Sequence, residues 1–567
     1  MATLNTPAST STPAAPPPVV SAGDIHGAFG TLRLGDGSGS GLLSRRLRTL
    51  LAIVGPGLIV MVGDNDAGAF STYTQAGQNY GTRLLWTMLL LVPVIYVNQE
   101  MVLRLGAVTG VGYAKLILER FGRTWGVFSV GTLFVLNALT IVTEFIGIAL
   151  GLGYLGLPKG PGVVIAAVVV VAAASTGSFQ RFERVCLFLV AGSLVLVPIV
   201  GLVHPPLGQV THDLLVPGLP VAGGHLSAVM LLVIAIVGTT IAPWQLYFQQ
   251  SYIVDKRITP KYLQYEKVDL WLGIVIVILG ATAMMAFTAA AFAGRPGSGH
   301  FVDAAGVATG LGRAGGHLAG TLFAIGLIDA SIIGAAAVGM STSYAVGDLF
   351  GIKHSLHRKP SEAKAFYAVF TALLLGSAAI VLVPGSPLGL IVEGVQTLAG
   401  VLLPSATVFL LLLCNDRAVL GPWVNSTRAN AFTAAVVAVL VMLSTVLTAS
   451  VVFPSIGSGA ILAILGTGTG LTLVGGLGWA GRALRRRAAA RVQTELQTEL
   501  QAEFRTELQA EHGPAEDRRT WRMPQLALLE RPVLTRTRRV GLALLWAYVT
   551  AACGLVVVGI VQLALGH

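Results

Sequence analysis

Residues 55–69, GPGLIVMVGDNDAGA, decide how this chain is read. An apolar run opening on Gly-Pro-Gly is interrupted at Gly63 and then carries two carboxylates, Asp64 and Asp66, at what should be membrane depth. A charge at the bilayer centre costs about 2.5–3.5 kcal/mol on insertion scales, so such groups face a polar cavity or a partner and tend to mark an ion or substrate path. Backbone that leaves the helix at that depth is tolerated only where it lines a cavity or is covered by protein. The stretch reads as an interrupted transmembrane helix at a binding site. A packing kink, with its acid turned to a neighbouring helix, is the plainer alternative.

The rest of the chain has the composition of a polytopic membrane protein: 567 residues, 54% hydrophobic, 11% charged, mean hydropathy +0.76. A soluble chain is roughly 25% charged. Apolar segments of spanning length fall near 50–79, 84–103, 125–152, 161–175, 184–203, 226–253, 269–293, 317–347, 365–384, 388–414, 431–453, 459–480 and 540–565, thirteen candidates in all.

With the N-terminus cytoplasmic, the loops inside carry Arg45, Arg46, Arg48, Lys115, Arg120, Arg123, Lys256, Arg257, Lys261, Lys353, Arg358, Lys359 and Arg485 to Arg487. The loops outside hold only Arg83, Lys159, Arg295 and Arg313. That asymmetry follows the positive-inside rule and accounts for the net charge of +11 without nucleic acid as a partner. Cys186, Cys414 and Cys553 lie in separate apolar segments with no ligand-like spacing.

Residues 1–42, rich in Pro, Ser, Thr, Ala and Gly, predict a disordered cytoplasmic tail with no cleaved signal peptide. The expected organisation then runs through five spans in 43–204, five in 226–414 and two in 431–481. A charged helical cytoplasmic insert over 482–539 and a last span at 540–565 complete it. In the insert, Leu496, Leu500, Phe504 and Leu508 recur every four residues, which suits a solvated helix.

The sixth segment repeats the oddity of the first. LSAVMLLVIAIVGTTIAPWQLYFQQSYIV, residues 226–254, is broken at Gly-Thr-Thr-Ile-Ala-Pro, and Pro243 disfavours helix at Ala242. Interrupted segments at corresponding positions of two halves point to the substrate site of an inverted-repeat transporter, where free carbonyls and helix termini meet ions. Two unrelated kinks would give the same pattern. Glu144, Asp329 and Gln396 are further intramembrane polar residues, each a pathway group or a structural one. Glu100 with Arg104, and Glu183 with Arg181 and Arg184, sit near span ends and read as snorkelling charges.

Enzyme-like motifs fail on context. GLGYLG (151–156) and GLGWAG (476–481) fit the dinucleotide pattern but end apolar helices, where small residues serve packing. The Asn425-Ser-Thr sequon falls on a loop expected inside. A membrane-embedded hydrolase using Asp64 and Asp66 as its acid pair is the alternative outside transport, although nothing supplies its nucleophile.

The opening stretch resembles the first-helix signature of the NRAMP (natural resistance-associated macrophage protein) metal transporters, in which Gly-Pro-Gly is followed by Asp-Pro-Gly-Asn. NQEMVLRLGAVTG (98–110), TEFIGIAL (143–150) and NDRAVLGPWVN (415–425) are similar to later segments of that family, so the resemblance covers about residues 48–450. It implies an all-α, LeuT-type fold of two inverted five-helix repeats plus about three extra C-terminal helices. A divalent cation would sit between broken helices one and six, as the transported ion and with no resident cofactor.

The departures refine the implication. Asp-Pro-Gly-Asn becomes Asp66-Ala67-Gly68-Ala69, and Met-Pro-His-Asn of the sixth helix becomes Ala242-Pro243-Trp244-Gln245. A thioether favours softer metals. Ala242 removes it, and two alanines leave room for the waters that Mg2+ keeps. The family's proton-associated histidine is here Trp244, and the aspartate of its third-helix Asp-x-x-Glu is Ile141, leaving Glu144. The pattern resembles the NRAMP-related magnesium transporters.

The expectation is therefore a multi-pass cytoplasmic-membrane importer of Mg2+, with Mn2+ as the alternative ion, weakly or not proton-coupled and not an enzyme. Asp66 is the main charged ligand and Asp64 a supporting charge. Carbonyls near Gly63, Thr239 and Ala242 add oxygens, Ala69 leaves space, and Gln245 and Gln396 hold coordinated waters. Glu144, Trp244 and Asp329 are the pathway candidates. The runner-up is an ordinary proton-coupled Mn2+/Fe2+ transporter; no oligomer is predicted.

Overall fold

The computed structural model describes residues 24–32, 42–220, 226–383, 388–453 and 456–478, then 518, 521–530, 539–548 and a few isolated positions. One hairpin precedes the helices, β1 (Ile25–Gly27) and β2 (Gly30–Leu32), antiparallel with Gly27 opposite Gly30. The first half follows as α1 (Leu42–Ile53), α2 (Pro56–Val62), α3 (Ala67–Tyr80), α4 (Trp86–Thr109), α5 (Tyr113–Phe121), α6 (Arg123–Tyr154), α7 (Lys159–Ala174), α8 (Phe179–Gly192), α9 (Leu196–Val203) and α10 (Leu207–Leu215). The second comprises α11 (Leu226–Thr240), α12 (Pro243–Asp255), α13 (Leu263–Phe292), α14 (Ala304–Gly315), α15 (His317–Phe350), α16 (Lys364–Val381), α17 (Leu388–Cys414), α18 (Arg417–Leu420) and α19 (Thr427–Val452).

Ten helices among the described residues are long and apolar enough to cross a bilayer. The three other expected spans differ for separate reasons. The first is split into α2 and α3, the fourth is the 16-residue α7, and the last is described only in part.

Local chemistry explains both interruptions. α2 begins with Pro56 at its first turn and ends at Gly63. The chain re-enters helix where the Asp66 carboxylate accepts the Ala69 N–H at 2.9 Å, an N-cap. In the sixth span Ala242 is extended (φ −92°, ψ 147°), as the residue before a proline prefers, and Pro243 starts α12. Pro243 has no N–H to return to the Thr239 carbonyl, so that oxygen is released from the helical ladder.

The half-helices face their counterparts: α3 packs on α11, and α2 on α12. Both halves of the first span also lie along α13, while α6 and α15 form the most extensive helix pair beside them. Some approaches are backbone to backbone. A side chain at Gly57 would meet the Leu270 nitrogen at 2.7 Å and its Cα at 2.8 Å, on α13. At Gly238 of α11 it would meet the Gly400 nitrogen at 2.6 Å, on α17.

Two expectations are corrected. The segment 1–42 is not disordered throughout: residues 24–32 fold as the hairpin, with Ile25 and Ala28 buried against α1 and α8. The alternation that buries Ile25 and exposes Thr31 is too short to outweigh the tail-like composition around it. In the expected helical insert, residues 521–530 hold only a 3-10 turn, Leu526–Leu528, because Pro524 interrupts them. They lie against the loop after α18, where the Trp521 ring sits beside Gly421; nearby, Trp423 Nε1 donates to the Arg518 carbonyl at 2.8 Å. Most of 482–520, including the four-residue Leu/Phe repeat, lies outside the described residues, as do 1–23 and 33–41.

Because α2 touches α13 through Gly57, Gly57→Ala should lower stability by about 1–3 kcal/mol, the usual cost of overpacking. Thermal melting in detergent should register a drop of several degrees. An unchanged midpoint would mean that α2 does not sit so close to α13.

Candidate metal site

The two breaks meet in the interior. Asp64 and Asp66 are 1% and 4% exposed, and neither oxygen of Asp64 has a hydrogen-bond partner. Gln245, at the start of α12, neighbours Asp64, and its amide nitrogen is also unpartnered. Its Oε1 accepts from the Ala242 N–H and from Gln99 Nε2, both at 3.2 Å, which fixes the side chain toward the break. The ring of Trp244 lies against Gly63, and its carbonyl accepts from Ser341 Oγ at 2.8 Å.

Glu144 of α6 completes the acidic group. Its Oε2 accepts the Ala67 N–H at 3.1 Å. That amide would otherwise bond the Gly63 carbonyl one turn back, so Glu144 helps to hold the helix open at Gly63. Glu144 and Asp66 both rest on Gly334 of α15, where a Cβ would meet Glu144 Oε2 at 2.8 Å and Asp66 Cβ at 2.9 Å. Gln396 of α17 projects its amide into the space a side chain at Gly68 would need, beside Asp66 Oδ1. On the other flank Tyr73 OH and Thr240 Oγ1 are 2.7 Å apart, and the Thr239 hydroxyl is buried without a partner.

Three buried carboxylates thus share one interior region, and among the described residues no Lys or Arg pairs with any of them. Uncompensated charge is costly in such surroundings and is normally relieved by protonation or by a bound cation. The donors on offer are oxygens and amides: Asp64, Asp66, the released Thr239 carbonyl, the Thr239 hydroxyl, Gln245 and Gln396. Among the described residues no group of three or more His, Cys, Asp and Glu is arranged to hold a metal ion. A cation held here would therefore lean on neutral donors and water.

The family model for natural resistance-associated macrophage protein-like proteins (Nramp) matches residues 57–450. The chain belongs to the NRAMP family. It is 29% identical over 416 residues to the divalent metal cation transporter MntH of Aeromonas hydrophila, an alignment covering 71% of this chain and 96% of that one. Among solved structures, the manganese transporter of Eremococcus coleocola in complex with an aromatic bis-isothiourea compound superposes with a TM-score of 0.58 at 20% identity, covering 80% of this chain and 99% of that one. A histidine-to-alanine mutant of the same transporter also gives 0.58, at 21% identity and with 98% of its chain covered.

The fold is accordingly the LeuT-type arrangement, and this NRAMP member is a multi-pass membrane transporter of divalent metal cations, not an enzyme. Of the residues singled out from the sequence, Gly63, Asp64, Asp66, Thr239, Ala242, Trp244, Gln245, Glu144 and Gln396 gather at the two breaks. Ala69 is there too, but its N–H caps Asp66 and its buried methyl offers no ligand.

Asp329 is the exception. It lies on α15 against Gly192 of α8, five residues from Gly334 and so about 140° around the helix from the face that meets Asp66. The structure also brings to the two breaks groups that the sequence does not single out. Tyr73, Gln99 and Ser341 carry no charge and look like ordinary helix residues. Polarity at buried positions facing α12 was the only signal for the last two.

Glu183 requires a correction as well. It is buried rather than snorkelling, its Oε1 2.7 Å from Lys256 Nζ at the end of α12. Lys256 also donates to the carbonyls of Ile53 (2.6 Å) and Val54 (3.0 Å), and Asp269 Oδ2 accepts from the Gly57 N–H at 2.7 Å. Together they clamp the start of α2 to α8, α12 and α13.

Gly334→Ala should push Glu144 and Asp66 apart. The divalent-cation concentration needed for half-maximal thermal stabilisation of the purified protein should rise severalfold. Equal midpoints in variant and parent would show that the two carboxyls do not act together.

Proposed function

We propose that this transporter imports Mg2+, with Mn2+ as a second substrate, through alternating access across the cell membrane, its N-terminus on the cytoplasmic side. The observation carrying the reading is Asp64: a fully buried carboxylate with two unpartnered oxygens beside Asp66, at the junction of two helix breaks. Hard oxygen donors suit a hard cation. The family's thioether and amide positions hold Ala242 and Ala69, whose small side chains favour an ion that keeps part of its hydration shell.

Weak proton coupling is supported by Trp244, which occupies the place of the family's histidine and cannot carry a proton. Of the family's proton-associated residues, Glu144 is the one kept beside Asp66. The basic residues within α1 and α5 and in the loops after α12 and α15 support the orientation by the positive-inside rule. A second reading, proton-coupled Mn2+ uptake, takes its metal from the relatives, one named a divalent metal cation transporter and the other a manganese transporter.

Uptake into proteoliposomes separates these readings. Asp66→Ala should abolish Mg2+ flux, and equal flux in the two proteins would refute the site. The double variant Ala69→Asn, Ala242→Met should raise the Mn2+/Mg2+ uptake ratio about tenfold, the effect of roughly 1.4 kcal/mol of altered ligation. A fixed ratio would count against the choice by ligand softness. A pH indicator trapped in the vesicles should stay flat during Mg2+ entry; acidification in step with metal would favour the proton-coupled reading.

A further inference from the structure

The hairpin at residues 24–32 docks on the clamp that holds the start of α2. The Ala28 N–H donates to Glu183 Oε2 at 2.6 Å, the oxygen not engaged by Lys256. The Ala28 carbonyl accepts from Arg184 Nε at 2.8 Å, and Gln180 Nε2 reaches the Gly27 carbonyl at 3.2 Å. Three residues of α8 therefore grip the two residues Gly27 and Ala28. On its other side the hairpin rests on α1, where Gly27 lies directly against the Ala52 carbonyl, so close that only glycine fits. The His26 ring meets His357, which in turn stacks on Phe179 of α8 at 5.1 Å.

This placement has a mechanical meaning. α1 continues through Gly55 (φ +150°) into α2, so α1 and α2 form the N-terminal arm of the broken first span. Passage from Asp66 toward the N-terminal side is closed by α2, whose residues Pro56 to Val62 are all buried against α8, α12 and α13. Opening that side requires the arm to leave α8. The hairpin spans that joint, and both of its halves would have to let go.

We propose that residues 24–32 are a strap that locks the inner gate by tying the N-terminal arm of the first span to α8 through Glu183. The inference rests on alternating access with this end facing the cytoplasm. It adds a part that the helix clamp does not need: a short β element whose backbone amide completes the coordination of Glu183. Lys256 engages one oxygen of Glu183 and Ala28 the other, so release of the strap leaves one oxygen of a buried carboxylate without its donor. Hydrogen bonds to charged groups are stronger than neutral ones, so a single such contact biases the closed state measurably.

Cys186, one turn along α8 from Glu183 and buried, serves as a native reporter. In inside-out vesicles, with Cys414 and Cys553 replaced by Ala, its rate of modification by a membrane-impermeant maleimide reads opening between α2 and α8. Deletion of residues 1–32 should raise that rate about tenfold, the scale set by one charge-assisted hydrogen bond. Ala28→Pro, which removes that N–H and fixes φ at residue 28 while leaving the rest of the segment in place, should raise it in the same direction.

Unchanged or slower labelling in a variant that still melts cooperatively overturns the strap. If the deletion does not fold, Ala28→Pro decides alone. Metal uptake is read in the same vesicles. Flat uptake of both Mg2+ and Mn2+ in the parent protein, together with faster labelling in the variants, would reject the transport reading and leave the strap standing.

Discussion

The arrangement depends on burying Asp64 and Asp66 in the interior with no basic partner among the described residues. Charge of one sign in a low-dielectric interior cannot be sustained by packing alone. The surroundings therefore supply polarity without supplying cations: the cap at Ala69, the amides of Gln245 and Gln396, and the carbonyl that Pro243 releases at Thr239. The cap at Ala69 and the free Thr239 carbonyl are consequences of interrupting the first and the sixth span, and the Gln245 and Gln396 amides are brought to them by α12 and α17. The need for a cation and the breaks in the helices are two aspects of one constraint.

The same constraint explains why Glu144 belongs to α6 rather than to either broken helix. By accepting the Ala67 N–H it satisfies a donor that the break leaves without its usual acceptor, and it does so from a helix that also packs along α15. The carboxylate is thus both a structural support for the open turn at Gly63 and a member of the acidic group. Removing it would disturb the backbone as well as the charge, so a change at Glu144 reports on both at once.

Much of this was legible in the sequence because a charge or a proline inside an apolar run is a one-dimensional signal. Asp64, Asp66, Glu144 and Pro243 needed no partner to be noticed. The reading failed where meaning depends on helix phase or on pairing. Asp329 has the same local signature as Glu144, an acid in an apolar helix, yet its face turns to Gly192. Glu183 and Lys256 each sit near a span end and look solvated, and only the fold brings them within 2.7 Å. The hairpin was hidden by its setting, since two buried residues cannot outweigh the composition of the tail that contains it.

The contact between Gly238 and Gly400 has a consequence of its own. Nothing but backbone separates α11 from α17 there: a Cβ on Gly238 would stand 2.6 Å from the Gly400 nitrogen and 2.7 Å from the Gln396 carbonyl. The residue whose amide reaches toward Gly68 and Asp66 is therefore part of the seam itself. A shift of α11 against α17 is passed through that seam to the Gln396 amide with no side chain in between to absorb it.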